Sequence, residues 1–232
     1  MGGVIISLIG FLGVWIWMGI GFEDLTVMLT NFNEPANLGL LKFFQVLQTI
    51  GMFVLPPVIL AWSLDNKPTR FLHLDRKPDW KMIGLVGLLI LVCGPVIEWF
   101  ALLNQQLVLP TWLSALESWM RSSEDQAAEI TKAFLSTKSV TGLLGNLMIV
   151  AVLPAIGEEL LFRGLLQSLA KKMTGSAHWA IWITAILFSA LHLQFFGFLP
   201  RLLLGVLFGY LLEWTGSLWL PILAHFINNA AG

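Results

Sequence analysis

Long apolar stretches separated by short polar loops are the feature that most constrains how this chain can fold. A helix that crosses a bilayer needs about 20 mostly apolar residues, and seven stretches meet or approach that length. They are residues 4–22, 40–62, 82–103, 140–172, 178–193, 199–214 and 218–231. The sequence therefore predicts an all-α fold, a polytopic transmembrane helical bundle of about seven spans.

The composition excludes several other classes of protein. Hydrophobic residues make up 57% of the chain and charged residues 12%, whereas a soluble domain carries about 25% charged residues. The formal net charge of −1 provides no basic face for a nucleic acid. Cys93 is the only cysteine, so the sequence offers neither disulfides nor a cysteine-based zinc site. We predict an integral membrane protein that contacts the lipid bilayer and no nucleic acid.

Basic residues in the loops predict the orientation of the chain. Between the second and third spans lie five Lys or Arg residues, and Lys171 and Lys172 precede the fifth span. Such loops usually face the cytoplasm, which places the N-terminus there too. The first span has no basic residue before it and no cleavage site after it, so we interpret it as a retained helix. The predicted location is the plasma membrane, crossed several times.

We interpret residues 1–232 as one membrane domain in three parts. The parts are the three N-terminal spans (1–103), an extracytoplasmic amphipathic segment (104–139) and the core that carries the candidate catalytic residues (140–232). In the middle part, apolar residues fall on one face of two helices, one following Trp112 and one over residues 124–135. The pattern predicts amphipathic helices on the membrane surface, and the alternative is a lid over a substrate.

Polar side chains inside the apolar stretches are the strongest indication of a functional site. An ionisable residue at the centre of a membrane helix costs about 2.5–3.5 kcal/mol, so such residues usually serve a function. Glu98 and Glu213 lie near the ends of their spans, and we interpret them as structural. The candidates that remain are Glu158, Glu159, Arg163, His192, His225 and Asn229.

The spacing within the fourth span separates the roles of its two glutamates. Glu159 and Arg163 stand four residues apart, so their side chains can pair on one helix face. Glu158 points about 100° away and has no countercharge on its own helix. Glu158 is therefore a candidate proton acceptor, and the alternative is a buried structural network of all three residues.

Equal distances from a shared loop predict that two of the candidates lie at one depth. Glu158 lies fourteen residues before Lys172, and His192 lies fourteen residues after His178. In an antiparallel pair of helices both are then about 21 Å from the loop. By the same count His225 lies at a shallower depth in the membrane, and helix tilt can remove this difference in depth. Three helices therefore contribute to one predicted pocket.

A carboxylate, two imidazoles and a carboxamide suit the hydrolysis of an amide bond. Glu158, assisted by His192, would deprotonate a water molecule, and His225 and Asn229 would donate hydrogen bonds to the oxyanion. Alternatively, Glu158, His192 and His225 would bind Zn²⁺ and leave a fourth position open. The residues leave both possibilities open.

Other functions fit the sequence less well. No Asp lies in any span, and the chain contains neither a His-Glu-x-x-His nor a Gly-x-Ser-x-Gly motif. A transporter would favour inverted repeats, and we find no internal repeat. The alternative function is a non-catalytic membrane protein that binds, regulates or confers immunity through the same polar pocket.

Three ordered motifs resemble those of the CAAX protease and bacteriocin-processing (CPBP) family of intramembrane proteases. Residues 158–163 resemble its EExxxR motif, 188–192 its FxxxH motif and 225–229 its HxxxN motif. The resemblance implies an all-helical membrane endopeptidase with a peptide or protein substrate, often called a metalloprotease, although a metal-independent glutamate mechanism is also proposed. It also implies a bacterial source, and CAAX-like C-termini as one substrate class. The implied catalytic residues are Glu158, Glu159, Arg163, His192, His225 and Asn229.

Overall fold

The computed structural model describes residues 35–137 and 139–231, and the regular secondary structure there is all helical. With contiguous helical segments counted as one, these residues form eight helices and no β-strand. The helices are α1 (35–64), α2 (Pro68–Phe71), α3 (Trp80–Gln105), α4 (Ser114–Leu135), α5 (Val140–Thr174), α6 (Ala177–Ala190), α7 (Phe198–Thr215) and α8 (Trp219–Ala231). The predicted all-α fold is confirmed.

Four of these helices are long and apolar enough to cross a bilayer, namely α1, α3, α5 and α7. The helices α6 and α8 have 14 and 13 residues, or about 20 Å at 1.5 Å per residue, which is short of a hydrocarbon core of about 30 Å. The helical membrane bundle is therefore confirmed, but of the six spans predicted within the described residues only four are long enough to cross, since α6 and α8 fall short. The span predicted at residues 4–22 lies outside the described residues.

The surface of α3 has the character expected of a helix that faces lipid. Leu85, Leu91 and Trp99 are exposed on it by 66%, 68% and 56%, which would be unfavourable in water. The opposite side of α3 packs inward through Val86 and Ile90. Apolar residues therefore cover both faces of this helix, as in a membrane span.

Two apolar clusters hold the bundle together. One joins α1, α2, α5, α7 and α8 and contains Ala61, Phe71, Leu72, Leu160, Leu165, Leu212, Leu218 and Ile222. The other joins α3, α7 and α8 and contains Val86, Ile90, Leu204, Phe208, Leu211, Leu220 and Ala224. Because α7 and α8 contribute to both clusters, this helix pair is the centre of the described bundle.

Helix α5 contains two π-helical segments, and the two glutamates lie between them. The π-helical segments Met148–Val152 and Leu160–Gln167 flank the α-helical segment Leu153–Glu159. Pro154 lies inside the continuous helix directly after the first π-helical segment, and its missing N–H removes one backbone hydrogen bond there. A wider turn rotates the residues that follow it. The winding of α5 thus sets the directions of Glu158 and Glu159.

Glycine residues allow close contacts between helices on two sides of the bundle. A Cβ atom at Gly205 of α7 would lie 3.0 Å from the Cβ atom of Ala185 in α6, and one at Gly209 would lie 2.8 Å from Cγ2 of Ile181. A Cβ atom at Gly157 of α5 would lie 3.0 Å from the Cβ atom of Phe53 in α1. Only hydrogen atoms fit in these contacts, so α7 packs closely against α6, and α5 packs closely against α1.

The amphipathic segment forms one helix and not the predicted pair. Helix α4 runs without a break from Ser114 to Leu135, preceded by a 3₁₀ turn at Thr111–Leu113. The prediction of two helices was wrong because Ser122 and Ser123 do not break a helix as Gly or Pro would. An ion pair of 2.8 Å between Glu117 and Arg121 also supports this part of the helix.

Helix α4 contacts the loop between α6 and α7. The Glu124 carboxylate accepts a hydrogen bond of 2.7 Å from the backbone N–H of Phe196. The Arg121 guanidinium lies 4.0 Å from the centre of the Phe196 ring, and the rings of Trp119 and Phe195 lie 6.0 Å apart. The helix is therefore attached to the bundle through this loop.

The substitution Gly157→Ala is expected to destabilise the protein, because the new methyl group would push α1 away from α5. Overpacking of this kind typically costs about 1–3 kcal/mol. The matched control is Gly145→Ala, also in α5, where a Cβ atom would meet nothing within 4 Å. Thermal unfolding in detergent measures both, and equal midpoints for the two variants would contradict the close contact.

Candidate active site

A fully buried ion pair lies at the base of the site. Nη1 of Arg163 lies 2.7 Å from Oε1 of Glu159, and both side chains have no exposed surface, as their spacing of four residues predicts. Nη2 of Arg163 donates a hydrogen bond of 3.1 Å to the carbonyl oxygen of Gly205, and the guanidinium lies 4.5 Å from the centre of the Phe188 ring. Buried charges persist only when paired and hydrogen-bonded in this way.

The ion pair also orients His225 of α8. Nδ1 of His225 lies 2.9 Å from Oε1 of Glu159, and because a carboxylate only accepts hydrogen bonds, Nδ1 carries the proton. The ring stacks on Phe208 with centroids 5.2 Å apart and meets the edge of Phe188 at 5.8 Å. The second ring nitrogen, Nε2, is left to face the cavity.

A backbone carbonyl orients His192 in the same manner. Nδ1 of His192 lies 2.7 Å from the carbonyl oxygen of Phe188, which can only accept, so Nδ1 is the donor and Nε2 of the neutral ring has a free lone pair. The next residue, Leu193, has a left-handed φ of 54°. That conformation is unfavourable for a non-glycine residue, and it turns the chain sharply after α6.

Glu158 faces both imidazoles. Its Oε2 atom lies 3.8 Å from Nε2 of His192 and 3.7 Å from Nε2 of His225. This oxygen is buried and has no hydrogen-bond partner among the described residues. With neutral rings, all three atoms carry lone pairs and repel one another. Their convergence from α5, the end of α6 and α8 is therefore suited to a group that brings hydrogens or positive charge, such as a water molecule.

The three side chains open into a cavity of about 470 Å³. Asn229 lines it from α8, together with Glu158, His192 and His225, whereas Glu159 and Arg163 lie beneath it and contact it through His225. Three polar lining residues are not among the candidates from the sequence: Gln45, Arg201 and Asn228. Arg201 lies near the start of the apolar stretch 199–214, and the criterion that set aside Glu98 and Glu213 near the ends of their spans also sets it aside.

The donor atoms of Glu158, His192 and His225 lie farther apart than the ligand atoms of a zinc site. Tetrahedral zinc with ligands at 2.0–2.2 Å holds neighbouring ligand atoms about 3.3–3.6 Å apart, and the two separations from Glu158 are 3.8 and 3.7 Å. Among the described residues, no group of three or more His, Cys, Asp or Glu side chains is placed to hold a metal ion. As they stand, Glu158, His192 and His225 do not fit zinc, and Zn²⁺ stays a prediction from the sequence.

The loop that carries His192 is held from outside the α5–α8 core. Nδ2 of Asn104, in the last turn of α3, donates a hydrogen bond of 2.8 Å to the carbonyl oxygen of Phe195. Oδ1 of the same side chain accepts one of 3.2 Å from the N–H of Leu199. With the bond from Glu124 of α4 to Phe196, two separate helices fix the backbone between α6 and α7.

We expect Arg163→Met to lower the free energy of unfolding strongly, because it leaves Glu159 buried without a countercharge. Loss of one partner from a buried pair costs about 3–5 kcal/mol. The double variant Glu159→Gln, Arg163→Met should lose less than the sum of the single variants. Unfolding in a denaturing detergent measures all three, and strictly additive losses would contradict the coupling.

Asn104→Ala is expected to loosen the loop that carries His192, because two backbone groups lose their partner. A buried group left unpaired costs about 1–3 kcal/mol. The matched control is Gln105→Ala at the exposed neighbouring position. Hydrogen exchange of residues 191–199 is the measurement. If the two variants exchange at the same rate, Asn104 does not hold the loop.

The part of the chain that carries the motif residues is similar to known proteins. Residues 140–231 match the family described as "Type II CAAX prenyl endopeptidase Rce1-like". The "Uncharacterized protein YpbD" of Bacillus subtilis (strain 168) is 31% identical over 120 residues, which cover 50% of this chain and 57% of that protein. This chain thus aligns with little more than half of that relative's length. No solved structure matches the chain.

The matched range contains α5 to α8 and all six residues that the motifs single out. The family match agrees with the resemblance to the CAAX protease and bacteriocin-processing family that those motifs indicate. Residues 140–231 are therefore similar to the Rce1-like family of CAAX prenyl endopeptidases.

Proposed function

We propose that the protein is an intramembrane endopeptidase that hydrolyses a peptide bond in a membrane-associated or C-terminal CAAX-like substrate. One observation carries the proposal. The unpartnered Oε2 atom of Glu158 faces Nε2 of His192 at 3.8 Å and Nε2 of His225 at 3.7 Å, beside a cavity of about 470 Å³. The similarity of residues 140–231 to a family of CAAX prenyl endopeptidases supports the same conclusion.

In this mechanism Glu158 is the general base. A water molecule donates one hydrogen bond to Oε2 of Glu158 and the other to Nε2 of His192. Glu158 takes its proton as the oxygen attacks the carbonyl carbon of the substrate. When the C–N bond breaks, the proton passes from Glu158 to the leaving amine, so the carboxylate is regenerated. A positioned base typically contributes a factor of about 10²–10⁴ to the rate.

His225 and Asn229 donate hydrogen bonds to the oxyanion of the tetrahedral intermediate in this mechanism. The amide of Asn229 can donate a hydrogen bond directly. Nε2 of His225 donates only when the ring carries both protons, while its Nδ1 stays bonded to Glu159. Each such donor contributes about 10²–10³ to the rate. Glu159 and Arg163 act as positioning residues, since they reach the reaction only through His225.

Zinc is the alternative source of an activated water. A zinc ion bound by Glu158, His192 and His225 would lower the pKa of its water, and no step above requires it. Treatment of the purified protein with a chelator distinguishes the two. We expect cleavage to persist, and loss of cleavage that added Zn²⁺ restores would favour the metal.

The bundle is a multi-pass membrane protein, and we propose the bacterial plasma membrane with a cytoplasmic N-terminus. Contacts between the basic loops support this orientation. Nζ of Lys172 lies 4.9 Å from the centre of the Phe71 ring. Arg76 of the first basic loop also donates a hydrogen bond of 3.0 Å to the carbonyl oxygen of Thr215 at the end of α7. The two loops that the charge pattern assigns to one side are thus neighbours in the structure.

We expect Glu158→Gln to abolish cleavage while the protein stays folded, because the amide has nearly the same shape and cannot take the proton. The measurement uses quenched peptides, with and without a C-terminal prenyl cysteine, and the purified protein in lipid vesicles. Glu213→Gln is the control, since Glu213 only pairs with the exposed Lys171 at 2.6 Å.

The rate of the Glu158→Gln variant should fall by at least about 10²-fold, and that of Glu213→Gln should not change. Cleavage by Glu158→Gln at the wild-type rate would rule out Glu158 as the base. If the folded wild type cleaves no peptide, the non-catalytic binding function becomes the better explanation of the pocket.

A further inference from the structure

Arg201 lies in the same cavity as Glu158 and has no role in the mechanism above. It belongs to the first turn of α7. Among the described residues that line the cavity, no other residue is an Arg or Lys. The family motifs found in the sequence do not include it. A charged side chain in a membrane-spanning helix is costly and usually serves a function.

Arg201 has no carboxylate within 4.0 Å among the described residues, and Glu158 and Glu124 interact with its charge only over a longer distance. Its Nη1 atom donates to the carbonyl oxygen of Gln194 at 3.4 Å, and its Nη2 atom donates to the side-chain oxygen of Gln194. Both acceptors are neutral. By contrast, the guanidinium of Arg163 is paired with Glu159 at 2.7 Å.

Two further features make this end of the cavity attractive to an anion. The positive end of the α7 dipole lies at its N-terminus, close to Arg201, so the dipole adds to the charge of the guanidinium. In addition, a guanidinium has five N–H donors in a planar fork that matches a carboxylate. With two of its N–H groups on Gln194, Arg201 still has donors for a ligand.

We propose that Arg201 binds a carboxylate of the peptide substrate, either the free C-terminal carboxylate or an acidic side chain close to the cleaved bond. The proposal rests on the proposed function, because it assigns the substrate class of the same cavity. A single negative charge matches the single charge of Arg201. A dianionic phosphate would add repulsion from Glu158, which lines the same cavity.

A cavity of about 470 Å³ accommodates the end of a peptide, since pockets for small ligands span about 300–1,000 Å³. With the carboxylate on Arg201 and the cleaved carbonyl beside Glu158, the two side chains mark the ends of the bound segment. Arg201 would therefore select peptides that are cut a short distance from a negative charge.

Binding to the Glu158→Gln variant tests the proposal without any need for cleavage. Three peptides of one sequence are compared by calorimetry in detergent: a free acid, a C-terminal amide, and an amide with one Asp added. A charge-assisted, forked pair should make one of the carboxylate peptides bind about 10–100-fold more tightly than the plain amide. The peptide that gains identifies which carboxylate Arg201 holds.

Substitutions of Arg201 are then made in the same background. Arg201→Gln should remove the preference for the carboxylate peptide and leave the affinity for the plain amide almost unchanged. Arg201→Lys, which keeps the charge without the fork, should retain a smaller preference, and it replaces the Gln variant if that one does not fold. Lys81→Gln, at an exposed site outside the cavity, should keep the full preference.

Equal binding of all three peptides to the Glu158→Gln protein would overturn the proposal, as would an Arg201→Gln variant that weakens all three equally. These results are independent of the protease assay. Cleavage by the wild type without a carboxylate preference would refute only the role of Arg201. A preference that depends on Arg201, in a protein that cleaves nothing, would refute only the proposed function.

Discussion

The buried pair of Glu159 and Arg163 is the interaction on which the rest of the site depends. Two charges without solvent are unfavourable unless each is surrounded by compensating partners, and those partners come from several helices. Arg163 reaches the backbone of Gly205 in α7, and Glu159 reaches His225 in α8. The requirement to satisfy the two charges therefore fixes α5, α7 and α8 relative to one another, and with them the direction of Nε2 in His225.

Close packing determines how well the polar atoms can meet. The contacts at Gly157, Gly205 and Gly209 leave no room for a methyl group, so the helices around α5 cannot shift without collision. In a bilayer such packing replaces the hydrophobic force that joins helices in water. The aromatic rings of Phe188 and Phe208 enclose the imidazoles from the remaining sides. A site made of a few polar atoms is thereby held in a rigid apolar frame.

Much of this arrangement could be predicted from spacing. The four-residue interval gave the contact between Glu159 and Arg163, and equal distances from a shared loop brought Glu158 to the depth of His192. Features that depend on tertiary contacts could not be predicted in this way. The apolar pattern of the sequence does not show the π-helical turns of α5. It also does not show that α4 is unbroken, or where α6 and α8 end. Arg201 was missed because a charge near a helix end resembles an ordinary interfacial residue.

The contacts of Asn104 and Glu124 have a consequence for how the chain can be divided. Both side chains hold the loop after His192, yet both lie outside residues 140–231, the part that carries the family match. Val86 and Ile90 of α3 also complete an apolar cluster with α7 and α8. The segment with all the motif residues is therefore structurally incomplete by itself. Evolution of the N-terminal half can alter the geometry of the site without touching a single motif residue.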